Sequence, residues 1–258
     1  MIQSVDRAVR ILTVLQGART LSLGEIAAAL GLPPSTVHGI VRTLLAHGMV
    51  TQETGTGRYR LGPATLRLGN VYLDTLELRT RAAGWAEDLA RRTGCAVRTG
   101  VLLQADVVVV HHEPRPDGTR QMPEVGIEIP AHACALGKAL AAFAPDGGTS
   151  LLGSPAARRS MTGETVTDPA ALQAQLAAVR ATGIATETEE AVLGECGIAA
   201  PVAATGGEVV GAIGLVVPSS DWPLPASAVD ALRAAARAVS REMGAAAWPP
   251  AVTVGESA

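Results

Sequence analysis

The chain has 258 residues and a mass of 26.3 kDa, which is enough for two domains of ordinary size. Apolar residues make up 48% of the sequence and aromatic residues only 2%, so the core must be built from aliphatic side chains. No apolar run is long enough to cross a membrane, and three widely spaced cysteines exclude a disulfide framework and a Cys-x-x-Cys zinc site. We therefore expect a cytoplasmic protein that contacts no membrane and carries no signal segment.

Charge is distributed unevenly along the chain. Residues 1–80 contain eight basic and five acidic residues, a net charge of +3, whereas the remainder contains 13 basic and 19 acidic residues, a net charge of −6. A basic N-terminal part joined to an acidic body favours contact with a nucleic acid at one end only.

The N-terminal part has the pattern of three helices followed by a β-hairpin. An apolar stripe predicts a first helix over residues 3–16. Ser22 and Glu25 are spaced as a capping box, which predicts the start of a short second helix. A third helix opens at the proline pair 33–34, and two short strands follow around a turn at residues 53–57. This order is typical of a winged helix-turn-helix.

The third helix presents a polar face opposite its apolar stripe. Small hydroxyls, a histidine and an arginine are suited to the phosphates and base edges of a DNA major groove. The alternative is that His38 and Arg42 only form a solvated helix face. The predicted DNA-binding residues are Ser35, Thr36, His38, Gly39, Arg42 and Thr43 on the helix, with Arg58 and Tyr59 on the wing.

The rest of the chain alternates between helical and strand-like patterns. After one or two helices over residues 63–94, we expect strands, helices and a strand pair, and then a last helix that stops before Trp248. The predicted segments are strands at 96–103 and 107–112, a helix near 133–144, a helix capped by Asp168, strands at 198–204 and 209–217, and the last helix.

Eight motifs, in order along nearly the whole chain, carry a family resemblance. They are residues 4–8, 21–27, 31–38 and 58–62 in the N-terminal part, and 130–139, 165–168, 187–190 and 198–202 in the body. Together they resemble the IclR family of bacterial transcription regulators. Further motifs at residues 72–74, 77–79, 109–112, 115–117 and 120–121 are similar to one subgroup, the glycerol operon regulators of actinomycetes.

This resemblance implies an α/β two-domain protein. A winged helix-turn-helix would be followed by a GAF-like effector domain, in which helices flank an antiparallel sheet. The family also implies homodimers through the N-terminal domain, and often homotetramers. The predicted boundaries are 1–62 for the DNA-binding domain, 63–80 for a linker helix, 81–246 for the effector-binding domain and 247–258 for a disordered tail.

The family's small-molecule pocket can be transferred onto this chain position by position. Ala135 and Leu136 lie at a helix start, where backbone N–H groups attract anions. Glu187 matches the family's pocket acid, although an exposed loop carboxylate is an equal alternative. The predicted effector-binding residues are Ala135, Leu136, Glu187, Gly197, Gly214 and Val216.

Two departures from the family pattern bear on this pocket. The family's cysteine position is Gly197 here and Cys196 lies one place earlier, on the opposite face of a strand. We therefore expect Cys196 to be a packing thiol. The family's Ser-x-Ser is replaced by residues 214–216, Gly-Leu-Val, which predicts a larger and less polar pocket.

No motif indicates catalysis, a cofactor or a metal. Adjacent histidines at 111 and 112 face opposite sides of a strand, so they are poorly placed to share one ion. Arg115 and Arg120 follow that strand and form either a phosphate contact or a solvated loop.

The sequence thus predicts a ligand-responsive regulator, in the simplest case a repressor of a catabolic operon, with glycerol catabolism as one candidate. Its partners would be double-stranded operator DNA and a small anionic effector, either glycerol 3-phosphate or an aromatic acid. Effector binding would release the regulator or change the spacing of its paired DNA-binding domains. The alternative is a small-molecule-binding enzyme or carrier whose helical head only dimerises.

Overall fold

The computed structural model describes residues 1–146, 148–149 and 158–249. The chain divides into two compact units, one over Met1–Thr75 and one from Leu76 onward. Within the described ranges, no helix is both long enough and apolar enough to cross a membrane.

The first unit is a small helical domain with a two-stranded wing. Its core combines residues from the first three helices with Val50 and Tyr59 of the wing. The Ser22 hydroxyl accepts the Glu25 N–H, and the Glu25 carboxylate accepts the Ser22 N–H, so the predicted capping box is confirmed. The elements are α1 (Gln3–Ala18), α2 (Leu23–Leu30), α3 (Pro34–Ala46), β1 (Val50–Gln52), β2 (Tyr59–Leu61) and α4 (Pro63–Thr75).

The segment predicted as a linker helix, residues 63–80, contains a break. α4 ends at Thr75, Leu76 is extended with φ −78° and ψ 96°, and the next helix begins at Glu77. The sequence left open whether residues 63–94 form one helix or two, and the structure has two. None of the residues of α4 is buried.

The second unit is built around a six-stranded antiparallel sheet with the order β5-β4-β3-β8-β7-β6. The predicted antiparallel sheet flanked by helices is confirmed. The short edge strands β5 and β6 were not predicted. The elements are α5 (Glu77–Thr93), β3 (Ala96–Leu103), β4 (Asp106–Glu113), β5 (Glu128–Pro130), α6 (Ala135–Ala142), α7 (Pro169–Thr182), β6 (Ala185–Thr188), β7 (Glu195–Ala203), β8 (Val209–Pro218) and α8 (Ala226–Glu242).

Each face of this sheet packs against a different pair of helices. α5 and α8 cover one face, where Cys196, Ile198 and Leu215 are buried. α6 and α7 cover the other face, where Ala199 and Ala212 are buried. Since side chains alternate along a strand, neighbouring residues of β7 and β8 belong to different cores.

The predicted disordered tail, 247–258, begins too early. Trp248 donates its indole N–H to the Pro201 carbonyl at 2.8 Å, and the Arg237 guanidinium lies 5.3 Å from its ring centre. The ring also packs against the core beneath α8. Residues 247–249 are therefore ordered against the sheet, because an indole can bury its area once its N–H has a partner. Positions 250–258 lie outside the described residues.

Candidate DNA interface and effector cavity

The exposed face of α3 contains most of the predicted DNA-binding residues. Val37 and Val41 are buried in the core, which fixes the orientation of the helix. Thr36 is half-buried, and the exposed residues on the outer side are Ser35, His38, Gly39, Arg42 and Thr43. A Cβ atom built on Gly39 would have no neighbour within 4 Å, so this position is open to an approaching ligand.

Two predicted residues also face an apolar groove. Gly39 and Thr43 line an open groove of about 360 Å³ between α1 and α3, together with Val5, Val9 and Leu12. Val5 and Val9 are exposed although they are apolar. Gly39 and Thr43 thus lie where the polar face of α3 meets this groove.

The wing differs from the prediction. Tyr59 is only 8% exposed and packs in the domain core, and its backbone pairs with Leu21 through hydrogen bonds of 2.7 and 2.9 Å. The predicted DNA contact of Tyr59 is therefore wrong, because its ring is part of the core. Arg58 is half-buried, pairs with Glu25 at 2.8 Å and donates to the Thr20 carbonyl at 3.2 Å. Its charge fastens the wing to α2.

The second unit brings all six predicted effector-binding residues together. They line one cavity of about 20 Å³ between α6 and the sheet, which we call the inner cavity. The lining consists of Arg98, Ile129, Cys134, Ala135, Leu136, Glu187, Gly197, Ile198, Gly214, Leu215 and Val216.

Strand register explains how distant positions meet there. Glu187 of β6 lies opposite Gly197 of β7, and Gly197 lies opposite Val216 of β8. In the neighbouring row, Gly214 lies opposite Arg98 of β3. Because these residues share one face of the sheet, their side chains point toward α6.

The predicted enlargement of the pocket is wrong for this structure. A cavity of about 20 Å³ has room for one water molecule. A Cβ on Gly214 would lie 2.7 Å from the Ile198 carbonyl oxygen and 3.3 Å from Leu136 Cδ2. The glycine therefore allows the helix and strands to approach closely, and its missing volume is filled by them. Cys196 is fully buried in the opposite core, so its predicted packing role is confirmed.

A buried ion pair supports the wall of the inner cavity. Lys138, the only lysine in the sequence, is 1% exposed and donates to Glu190 Oε1 at 2.5 Å and to the Thr186 carbonyl at 3.3 Å. Glu190 in turn donates its backbone N–H to Glu187 Oε2 at 3.1 Å. This chain of contacts joins α6 to the segment after β6 and holds Glu187 in place.

Glu187 is buried, contrary to the alternative of an exposed loop carboxylate. Burial raises the pKa of Glu187 to about 7, and the nearby carboxylates of Glu195 and Glu190 act in the same direction. The Glu190 N–H and Lys138 oppose this rise. Near neutral pH the carboxyl is thus divided between its protonated and charged forms.

Arg98 is the charged residue of the cavity that sequence reasoning missed. It bonds Glu195 through Nη1 at 2.7 Å and Nη2 at 3.0 Å, and Glu124 through Nε and through Nη2 at 2.9 Å. Burial disfavours its charge, but these two carboxylates outweigh that effect and raise the pKa of Arg98. The available signal was a single arginine within the apolar strand β3.

A second, open pocket of about 200 Å³ adjoins this arginine, and we call it the outer pocket. Arg98 and Val216 line both spaces. Arg115, which the sequence left between a phosphate contact and a solvated loop, lines the outer pocket and pairs with Asp221 at 3.0 Å and Asp117 at 3.2 Å. Arg120 is exposed.

The described residues include no group of three or more histidine, cysteine, aspartate or glutamate side chains that could hold a metal ion. His111 lies 3.9 Å from Glu113 and His112 lies 3.7 Å from Glu124. Burial lowers the pKa of each histidine, which favours their neutral forms.

Comparison with known proteins connects both units to one family. Residues 4–54 match the IclR helix-turn-helix domain, and residues 70–241 match the C-terminal domain of the bacterial transcriptional regulator IclR. The chain belongs to the IclR family of bacterial transcription regulators. Regulation of transcription through DNA binding is therefore its function, and the alternative of an enzyme or carrier with a dimerising head is not favoured.

Relatives of this IclR regulator cover almost its whole length. A glycerol operon regulatory protein from Streptomyces griseus is 45% identical over 95% of this chain and 97% of its own length. The glycerol operon regulatory protein of Streptomyces coelicolor is 44% identical over the same shares.

Solved structures of the family share the fold. An IclR transcriptional regulator from Alicyclobacillus acidocaldarius has a TM-score of 0.80 at 26% identity and covers 93% of this chain and 98% of its own. An IclR homologue from Microbacterium hydrocarbonoxydans, complexed with 4-hydroxybenzoate, has a TM-score of 0.77 at 26% identity, covering 93% and 99%.

Proposed function

We propose that this IclR regulator represses a catabolic operon, with glycerol catabolism as the first candidate, and that a small anion bound in the inner cavity relieves repression. The observation that carries the proposal is the meeting of all six predicted effector-binding residues around one cavity, beside the guanidinium of Arg98. We also propose that the protein works in the cytoplasm, that it forms dimers or tetramers, and that it catalyses no reaction.

Two ligand classes fit the chemistry of the cavity. The S. griseus and S. coelicolor relatives are glycerol operon regulators, which favours glycerol 3-phosphate. The Microbacterium homologue was solved with 4-hydroxybenzoate, which favours an aromatic acid. Both are anions, and both suit a site that combines Arg98 with the N-terminus of α6. Since the inner cavity has room for only about one water molecule, either ligand requires it to expand toward the outer pocket.

DNA recognition is assigned to the outer face of α3. Arg42 has the geometry to donate two hydrogen bonds to a guanine, and Ser35 and His38 lie beside it on the exposed face. Tyr59 is withdrawn from this set because it is buried.

Dimerisation is assigned to apolar surface within the first unit. Ile2, Val5 and Val9 of the α1 region are exposed, as are four residues on the otherwise unpacked α4: Leu66, Leu68, Val71 and Tyr72. A second copy of the chain would bury this surface and place two α3 helices on a pseudo-palindromic operator. A protein that stays monomeric at micromolar concentration, yet protects a full palindrome, would contradict this arrangement.

The DNA assignment can be tested at Gly39. Because a Cβ there meets nothing within 4 Å, Gly39→Glu should fold normally and abolish operator binding through phosphate repulsion. Gly84→Glu is the matched control, since position 84 on α5 is equally open and the change in charge is identical. Binding is measured by fluorescence anisotropy on DNA selected by the purified protein. Normal affinity in folded Gly39→Glu would refute the assignment.

The cavity can be tested at Val216 and Ala135. Operator release by glycerol 3-phosphate, glycerol and 4-hydroxybenzoate is measured for the wild type, Val216→Ser and Ala135→Trp. Serine at 216 should leave release by glycerol 3-phosphate unchanged or stronger, and should weaken an aromatic ligand by about 1 kcal/mol through lost apolar contact. The indole of Ala135→Trp is much larger than the cavity and should block the site and prevent release, and circular dichroism checks that this variant keeps the native fold. If neither variant alters release by any ligand that acts on the wild type, the effector binds elsewhere.

A further inference from the structure

Arg98 is bonded to two carboxylates that belong to structurally different parts of the second unit. Glu195 is the first residue of β7, within the sheet. Glu124 lies in the segment between β4 and β5, where its neighbours Met122, Pro123 and Val125 are exposed. A single guanidinium thus joins the sheet to a surface loop.

The charges at this point do not balance. One guanidinium is bonded to two carboxylates, those of Glu124 and Glu195. Burial would raise the pKa of Glu124, but contact with Arg98 outweighs this effect and lowers it, which keeps that carboxylate charged. A guanidinium has five N–H donors, and the two acids occupy its Nε, Nη1 and Nη2 atoms. A further anion can bind Arg98 with full hydrogen bonding only where one of these carboxylates leaves.

Glu124 is the carboxylate that can leave. The backbone of Glu195 is fixed by the pairing of β7 with β8, in which Glu195 lies opposite Pro218. Moving Glu124 requires its loop to shift away from Arg98 and from His112, which lies 3.7 Å from the carboxylate. The backbone hydrogen bonds between this part of the loop and the sheet are few, and they involve Val109, Gly126 and Ile127. Glu124 also lines the outer pocket, so its departure would open the path from that pocket to the inner cavity at Arg98.

We propose that Arg98 selects the effector for negative charge, and that Glu124 occupies the anion's position on Arg98 until a carboxylate or phosphate monoester displaces it and frees the loop. The inference rests on the proposed function, because the rest of the effector is expected to occupy the inner cavity. It adds the residue that recognises the charge, an internal competitor for that residue, and a loop whose release reports occupancy.

Competition is tested by isothermal titration of the full-length protein with two matched pairs of probes. These are glycerol 3-phosphate with glycerol, and 4-hydroxybenzoate with 4-hydroxybenzyl alcohol. Glu124→Gln removes the competing charge and leaves Arg98 paired with Glu195. It should tighten anion binding about tenfold, because one charge-assisted hydrogen bond contributes about that much to affinity. The affinity for the neutral probes should not change. Glu128→Gln, an exposed acid on β5, is the control for lost negative charge.

Charge selection is tested with Arg98→Gln. This variant should lose about tenfold or more in affinity for the anions and keep its affinity for the neutral probes. Should it fail to fold, the Glu124→Gln titration still decides, since that variant leaves no buried charge unpaired. Anion affinity that is equal in wild type, Glu124→Gln and Glu128→Gln, or anion binding to none of them, overturns the proposal.

Release of the loop is tested by limited trypsin digestion. Arg120 is exposed within the loop and is followed by Gln121, whereas Arg115 is followed by proline and resists the protease. Cleavage after Arg120 should accelerate when the anion is added to the wild type, and should be fast in Glu124→Gln without it. Unchanged cleavage in both cases overturns the displacement.

The two proposals fail in different ways. If Val216→Ser and Ala135→Trp have no effect while Glu124→Gln and Arg98→Gln behave as expected, Arg98 binds the anion in the outer pocket and the inner cavity is wrong. If the cavity variants alter operator release but Arg98→Gln binds the anions normally, the cavity stands and the role of Arg98 is wrong.

Discussion

Glutamine at position 187 should change how the stability of the second unit depends on pH. Wild-type Glu187 is buried with a pKa of about 7, against 4.5 for the ordinary side chain. Between these values the native carboxyl keeps its proton while the unfolded one has lost it. The free energy of unfolding therefore falls as pH rises from about 4.5, and the loss is complete above about 7.

The size of the effect follows from the two pKa values. The difference corresponds to about 3 kcal/mol, and Glu187→Gln removes it because an amide does not ionise. The glutamine oxygen can still accept the Glu190 N–H, so the local geometry is kept. The free energy of unfolding of Glu187→Gln, minus that of the wild type, should rise by about 3 kcal/mol from pH 4.5 to pH 8.

Urea unfolding followed by tryptophan fluorescence measures this difference for one unit alone. All three tryptophans, at positions 85, 222 and 248, lie in the second unit. Glu190, Glu195 and Lys138 are present in both proteins, so the difference curve reports the loss of the Glu187 carboxyl together with its interactions with these neighbours. Glu128→Gln serves as the control with an exposed carboxylate and should give a flat curve. A flat curve for Glu187→Gln would show that the carboxyl is solvated and that our account of the cavity is wrong.

Three further substitutions have defined outcomes. Arg42→Ala should weaken specific operator binding by about 1–3 kcal/mol in an anisotropy assay, because it removes a bidentate base contact, whereas Arg91→Ala on α5 should not. Lys138→Met should destabilise the second unit by about 3–5 kcal/mol in urea, since the buried carboxyl group of Glu190 loses its cationic partner. Gly137→Ala should lower the melting temperature of the second unit sharply, because a Cβ there would lie 2.2 Å from the Ala131 backbone. The control Gly84→Ala, at an open position, should leave that temperature unchanged.

Each of these outcomes can be contradicted. Equal operator affinity for Arg42→Ala and Arg91→Ala would remove Arg42 from the DNA interface. Full stability of Lys138→Met would mean that Glu190 reaches water or takes up a proton without cost. An unchanged melting temperature for Gly137→Ala would show that α6 does not pack against Ala131 as tightly as described.

Local signals in the sequence were sufficient where the chain determines its own structure over a few residues. The capping box at Ser22 formed as predicted, and Asp168 accepts the Ala171 N–H at the start of α7. The wing also lies where its turn residues placed it, but its side-chain directions were not predictable, because they depend on pairing with Leu21. That pairing turns Tyr59 into the core.

The inner cavity likewise combines features that could be predicted from the sequence with features that could not. Its six positions came from the family resemblance, and the strand register brings them together. Its electrostatics could not be predicted, because Arg98 meets Glu124 and Glu195 from 26 and 97 residues away in sequence. Gly214 was misjudged for a related reason. A missing side chain indicates space only where neighbouring strands and helices leave it empty, and here they do not.

The burial of Lys138 in its ion pair protects the only lysine of the effector domain from reagents that acylate amines. The sequence offers only this ε-amine, and in the native state it is 1% exposed and bound to Glu190. Acylation of Lys138 can occur only in molecules whose α6 has separated from the segment after β6. Its rate, followed by mass spectrometry against urea or effector concentration, thus measures the opening free energy of that helix. The wild-type protein thus carries a reporter of local unfolding at its single lysine, with no label engineered into the chain.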